Sequence, residues 1–161
     1  MDRNSPYARM HTADPQERAK IYAEIYDAGA AGLRPADAAD IRPPSARRRK
    51  RLALYSSIIG PGHQAILELG CATGDLTCVL AGLGQRVVGI DMSGASLGVA
   101  RRRADQLPGE LGARVQLIKM NAVRPEFAEG SFDYAVSTSM IEHLHPEDVD
   151  THLREVWRVL R

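Results

Sequence analysis

Ile66-Leu67-Glu68-Leu69-Gly70-Cys71-Ala72-Thr73-Gly74-Asp75, followed a helix-length interval later by Val87-Val88-Gly89-Ile90-Asp91, is the stretch from which the fold can be read. A short apolar run ends in a Gly-x-x-x-Gly turn, a helical pattern follows, and a second apolar run ends in an acidic residue. Such runs, bounded by turn residues and joined by a helix, describe one β-α-β unit. Its mouth lies at the carboxyl ends of the strands, where sheets of this kind receive ligands.

Gly70 and Gly74 let the backbone bend sharply and approach a ligand where a side chain would block it. The following helix offers free N–H donors, with Asp75 or Thr73 as its cap. Gly-Cys-Ala-Thr-Gly is a poor match to the dinucleotide spelling G-x-G-x-x-G. Glu68, just ahead of the turn, would repel a pyrophosphate and suit a cationic or amine-bearing ligand. Asp91, 17 residues beyond Gly74, either accepts both hydroxyls of a ribose or serves as a turn or cap residue before the helix at Ala95. With Glu68 and Gly70 upstream, the ribose reading is preferred.

The unit repeats along the chain. Strands are predicted at Ala65–Leu69, Arg86–Ile90, Val115–Met120 and Phe132–Thr138, and helices near Asp75–Leu83, Ala95–Leu107 and Pro146–Leu160. The last helix carries Leu153, Val156, Trp157 and Leu160 as one apolar stripe. Strands alternating with helices make a doubly wound, Rossmann-like parallel α/β sheet. The near-continuous apolar character of each strand agrees.

Upstream, Asp14-Pro15-Gln16-Glu17 is a helix start. Ala19, Tyr22, Ile25 and Tyr26 share one face, and Gly29 supplies a stop. Residues 1–13 lack periodicity and are expected to fray, while 29–44 read as a loop rich in Ala, Gly and Pro. Ser45 caps a second helix that opens with Arg47-Arg48-Arg49-Lys50-Arg51, carries Leu52, Tyr55, Ile58 and Ile59, and ends at Gly60-Pro61-Gly62. The basic run reads as the solvated side of an amphipathic helix, with phosphate or an acidic substrate as the alternative; at a helix N-terminus it opposes the macrodipole. Residues 1–62 are thus expected to form a helical extension and lid, and 63–161 the ligand-binding domain.

Composition narrows the class. A chain of 161 residues, 44% apolar and 25% charged, fits one globular domain with a real core. A net charge of +1 gives no global attraction to nucleic acid or an anionic membrane. One Trp and two Phe cannot build a broad stacking surface for single strands. No apolar run approaches the ~20 residues of a membrane span. Cys71 and Cys78, without a disulfide or metal framework, suggest a reducing cytoplasm.

At this point the chain resembles a class I S-adenosylmethionine-dependent methyltransferase of the small-molecule type. Glu68-Leu69-Gly70-Cys71-Ala72-Thr73-Gly74 is similar to that family's first motif, with Ala72 in place of its frequent middle glycine, and Val88-Gly89-Ile90-Asp91-Met92-Ser93 to its second. Residues 121–133 resemble D-A-x-x-L-P-F-x-D-x-S-F-D, with Asn121 at the first position. Ser137 to Leu144 resembles the motif after strand four, and Glu155 to Leu160 the helix beyond it.

The resemblance implies S-adenosylmethionine as cofactor and S-adenosylhomocysteine as product. Gly70, Cys71, Ala72 and Gly74 would hold the methionine part, with Glu68 supporting the loop. Asp91 would bind the ribose and Met92 would pack on the adenine. Asn121 would accept from the adenine amino group without a carboxylate's charge assistance, beside the backbone of Ala122. The Ser137 carbonyl would meet the amino group, and Tyr26, with Tyr22, would lid the site. His143 is the first choice of base, then Glu142, then His145; a helix-start residue bonded to local backbone is the plainer account of His143. Ser139, where some relatives have a metal-binding Glu, argues against a metal site. The absent N/D-P-P-Y motif favours a small-molecule acceptor over nucleic acid.

The family's sheet usually has seven strands, whereas this sequence supplies four and ends at Arg161. The C-terminal strands are therefore expected to be missing, leaving a strand-four edge that invites self-association. The first expectation is methyl transfer to an O, N or C atom of a small molecule. The alternatives are a non-catalytic methyltransferase-like binding or interaction subunit, and, more remotely, an NAD-type oxidoreductase.

Overall fold

The computed structural model describes residues 6–30, 46–59 and 64–161. Four parallel strands, β1 (Ala65–Leu69), β2 (Arg86–Asp91), β3 (Val115–Lys119) and β4 (Tyr134–Ser137), lie in the order β3-β2-β1-β4. Between them run α4 (Asp75–Leu80), α5 (Gly94–Asp105) and a 3₁₀ segment (Gly109–Arg114). A second 3₁₀ turn (Ile141–His143) and α6 (Pro146–Val159) follow β4. Chain order reverses at β1, whose two neighbours are β2 and β4, so the crevice opens beside the Gly70–Gly74 turn.

Alternation of side chains sorts the core into two layers. Ile66, Leu76, Val79, Leu80 and Val87 pack on one face with Ile59 and Tyr55, and Leu67, Leu69, Val88, Ile90, Phe132 and Val159 fill the other. With both faces covered, the strands are apolar nearly throughout. The expected doubly wound parallel α/β class is what the chain forms.

Upstream are α1 (Pro6–Met10), α2 (Pro15–Ala30) and α3 (Ala46–Ile58). Asp14 caps α2 as expected, its carboxylate accepting from the N–H groups of Gln16 at 2.8 Å and Glu17 at 2.9 Å. α1 corrects the expectation that residues 1–13 fray; Arg9 pairs with Glu24 at 3.2 Å and so ties this turn to α2. Gly29, expected to stop α2 and open a loop at 29–44, lies inside the helix, which runs on to Ala30. The rest of that loop, the Ser45 cap and Gly60-Pro61-Gly62 lie outside the described residues, as do the side chains of Arg47, Arg48, Arg49, Arg51 and Leu52. Of the face expected on α3, Tyr55 and Ile59 reach the core, but Ile58 is 58% exposed.

The stripe expected on α6 is also corrected. Trp157 is 81% and Leu153 52% exposed, whereas Asp148, His152 and Val159 are buried. The helix is rotated because its inward polar groups are satisfied: Arg18 meets Asp148, and the Ala122 carbonyl meets His152. Such pairing removes the penalty that ordinarily keeps polar side chains outside.

β4 begins at Tyr134, and Phe132 instead forms an isolated bridge to Leu160. Between them Asp133 accepts the Ala65 N–H at 2.7 Å, joining the starts of β1 and β4, and pairs with Arg161. The Ala65 bond, reinforced by the guanidinium, holds the Asp133 carboxyl below the usual carboxylate range. A lowered folded value stabilises above the unfolded pKa of about 3.9 and is lost as pH falls through the folded one. Asp133→Ala is therefore expected to cost about 1–2 kcal/mol in urea unfolding at pH 7, and less as the solution is acidified. An unchanged midpoint at pH 7 would refute the clasp.

Candidate functional site

A cavity opens at the carboxyl ends of β1, β2 and β4. It is lined by Gly70 and Ala72 of the first turn, Asp91 and Met92 after β2, Asn121 and Ala122 after β3, and Met140 and His143 after β4; Tyr22 and Tyr26 of α2 roof it.

The turn is built by backbone conformation. Gly70 and Gly74 both have φ +74°. A Cβ on Gly70 would come within 2.6 Å of Met140 Cγ, and one on Gly74 within 2.8 Å of Ala100 Cβ on α5. Glycine is thus required at both for conformation and for space. Gly74 is the cap residue of α4 and makes no side-chain cap bond, so neither Thr73 nor Asp75 serves as expected. Arg103 instead reaches from α5 to the Thr73 hydroxyl at 2.8 Å and carbonyl at 3.0 Å.

Ala72 adopts φ +45°, a region that costs an L-residue roughly 1–2 kcal/mol. Its N–H donates to Asp91 Oδ2 at 2.8 Å, which holds the strained turn against the end of β2. Asp91 Oδ1 accepts from Ser93 N–H at 2.8 Å. Each carboxylate oxygen keeps a lone pair for a ligand. Burial raises the Asp91 pKa, with the nearby Asp27 carboxylate adding to the rise, against the opposing pull of the Ser93 and Ala72 N–H bonds. Asp91 is thus a turn residue as well as a cavity group, and the cap of α5 is Ser93, which accepts from Ser96 N–H.

Not every expected residue faces the cavity. Glu68, 4% exposed, is outside the cavity lining and accepts the Thr77 hydroxyl of α4. Cys71 is buried against Gly89, and burial pushes its thiol above the usual range. Gly74 packs on α5. Ser137, the last residue of β4, is not among the lining residues, while Ser139, with φ +54°, and Met140 are. Glu142 is exposed and outside it. His143 lies at the rim, its ring edge-on to Tyr26 with centroids 6.0 Å apart; its backbone N–H also closes the local turn to Met140 at 3.0 Å. His145 caps α6 instead. Ser96 and Leu144 line the cavity unanticipated, since neither residue type signals a ligand contact.

α2 is fastened over the cavity at three points. Arg18 forms a two-pronged pair with Asp148 at 2.8 and 2.9 Å, the Tyr22 hydroxyl accepts His145 N–H at 2.6 Å, and Asp27 accepts the Ser93 hydroxyl at 2.6 Å. The Ser93 bond, followed by the Ala95 N–H, lowers the Asp27 pKa.

Comparison with known proteins fits this geometry. Residues 66–161 match the family described as "Methyltransferase domain". The chain is 33% identical over 96 residues to the O-antigen chain terminator bifunctional methyltransferase/kinase WbdD of Escherichia coli, covering 59% of this chain and 13% of that protein. It is 35% identical over 106 residues to the ubiquinone biosynthesis O-methyltransferase of Nitrosococcus oceani, covering 65% and 41%. It superposes on Haemonchus contortus phosphoethanolamine N-methyltransferase 1, solved with phosphoethanolamine and S-adenosylhomocysteine, with a TM-score of 0.72 at 18% identity, covering 96% and 32%. The chain spans less than half the length of each of these proteins. On the family match over more than half its residues, supported by the sheet and its crevice, the chain belongs to the methyltransferase domain family.

Proposed function

We propose that this chain binds S-adenosylmethionine and forms the cofactor side of a methyltransferase acting on an O, N or C atom of a small molecule. The observation that carries this reading is Asp91: a carboxylate in the cavity wall, ordered by the Ala72 and Ser93 N–H groups, with free lone pairs suited to a ribose diol. The other lining groups fit the same cofactor. Met92 offers a polarisable surface for a purine, and the Gly70–Ala72 turn leaves room for the amino-acid part.

When bound, the cofactor supplies an electrophilic sulfonium methyl. The residues here bind and orient it, and Tyr22, Tyr26, Met140 and Leu144 shield the cavity from water. His143 at the rim is the group placed to take a proton from an acceptor. The Nitrosococcus relative is named for O-methylation in ubiquinone biosynthesis, which supports a hydroxyl-bearing acceptor. Two free thiols support a reducing compartment. Among the described residues, no helix is long and apolar enough to cross a membrane, and no cluster of three His, Cys, Asp or Glu is placed to hold a metal ion.

A second reading, an interaction subunit without catalysis, draws on β4. Among the described residues its outer edge has no strand partner, and the nearby sheet-covering helix presents Trp157 outward. Calorimetric titration with S-adenosylhomocysteine separates the two. Saturable binding with a Kd well below about 1 mM is expected, and silence at that concentration would overturn the cofactor reading. NADH fluorescence is expected to stay unchanged on adding the protein.

A further inference from the structure

The wall carrying Asn121 and Ala122 is held from behind by a side chain that does not line the cavity. His152 on α6 is 1% exposed, and its Nδ1 lies 2.7 Å from the Ala122 carbonyl oxygen. A carbonyl only accepts, so Nδ1 carries the proton and donates. The other end of the same peptide plane is also engaged, because Val123 N–H donates to Asn121 Oδ1 at 2.9 Å. The 122–123 peptide is therefore clamped at both ends. The clamp sets the Asn121 amide as well: its oxygen must face Val123, since its nitrogen there would oppose two donors.

We propose that His152 is a positioning residue for recognition of the cofactor's purine, acting through the Ala122–Val123 peptide and Asn121 without contact. The inference rests on the cofactor reading above, in which Asn121 and Ala122 meet the adenine. An apolar residue at 152 would fill the space yet leave a buried carbonyl without its donor, and the peptide would lose the bond that fixes its plane. Asn121 would then lose its fixed orientation, and with it the discrimination between an amino group and an oxo group on the base. α6 thereby couples the sheet's outer layer to base selectivity.

The test titrates S-adenosylhomocysteine and its 6-oxo, hypoxanthine-bearing counterpart into wild type, His152→Leu and His152→Gln, with thermal melts to establish folding. Wild type is expected to prefer the amino form. His152→Leu is expected to weaken S-adenosylhomocysteine about tenfold and to erase most of the preference, and His152→Gln, which restores an N–H donor, to recover much of both. A lowered melting temperature with affinity and preference unchanged would show a merely structural role and overturn the proposal. Wild-type silence toward both ligands would instead overturn the cofactor reading beneath it. Should the leucine variant fail to fold, ¹⁵N-labelled wild type decides. Its His152 Nδ1–H resonance is expected to shift on adding S-adenosylhomocysteine and to stay in place with homocysteine, which lacks the purine; no shift with either overturns the proposal.

Discussion

Asp91→Ala is expected to weaken S-adenosylhomocysteine binding by roughly two orders of magnitude. A hydrogen bond to a charged acceptor is worth about 1.5–3 kcal/mol, and a tenfold change in affinity is about 1.4 kcal/mol. Loss of an acceptor facing two ribose hydroxyls therefore exceeds either bond alone. The substitution also frees Ala72 N–H, the bond that holds a left-handed alanine in place, so part of the loss comes from a loosened turn. Asp91→Asn separates these contributions poorly. Both carboxylate oxygens already accept from backbone N–H groups, so an amide would set its own NH₂ against one of them. Calorimetry on the alanine variant gives the answer, and unchanged affinity would remove Asp91 from the site. Because burial raises the pKa of this group, wild-type affinity is expected to fall on acidification with a midpoint above the ordinary value of about 3.9, as the acceptor becomes protonated.

Arg18→Met is expected to lower stability by about 3–5 kcal/mol, the usual cost of stranding one member of a buried ion pair. Arg18 is 3% and Asp148 5% exposed, and the guanidinium also donates to the Ala13 carbonyl at 2.8 Å. Its loss leaves Asp148 charged inside the α2–α6 contact. Replacing both partners, Arg18→Met with Asp148→Leu, is expected to recover much of the deficit, because an apolar pair of similar volume needs no compensating charge. Urea unfolding of the two single variants and the double variant measures the coupling, and additive losses would show that the pair contributes nothing beyond packing. Cofactor affinity is expected to fall in the single variants, since α2 carries Tyr22 and Tyr26 over the cavity.

The parallel sheet is legible because each strand is an apolar run bounded by turn residues, and β1 has the expected bounds at both ends. The acidic end of β2 and the glycine turn were legible for the same local reason. What sequence periodicity misplaced were buried polar groups: Arg18, Asp148 and His152 sit inside, where an apolar pattern assigns Leu153 and Trp157. Their burial is decided by partners up to 130 residues away, which no window along the chain contains. Glu68, expected to support the turn, alternates with Leu67 and Leu69 and so faces α4, where it accepts the Thr77 hydroxyl. Ser96 and Leu144 line the cavity through position alone. Short-range signals located the crevice, and long-range pairing decided which side chains enter it.

The joint between β1 and β4 also has a temporal meaning. Asp133 follows Ala65 by 68 residues, and chains are synthesised at about 5–20 residues per second. A ribosome thus delivers the start of β1 roughly 3–14 s, and the end of β3 roughly 1–3 s, before the strand that flanks β1 on its other side. Helical turns close within microseconds, so the first three strands have ample time to pair while one side of β1 stands bare. The nascent protein passes through a stage in which its most apolar strand is half-dressed, the interval in which a chaperone or a wrong neighbour would find it.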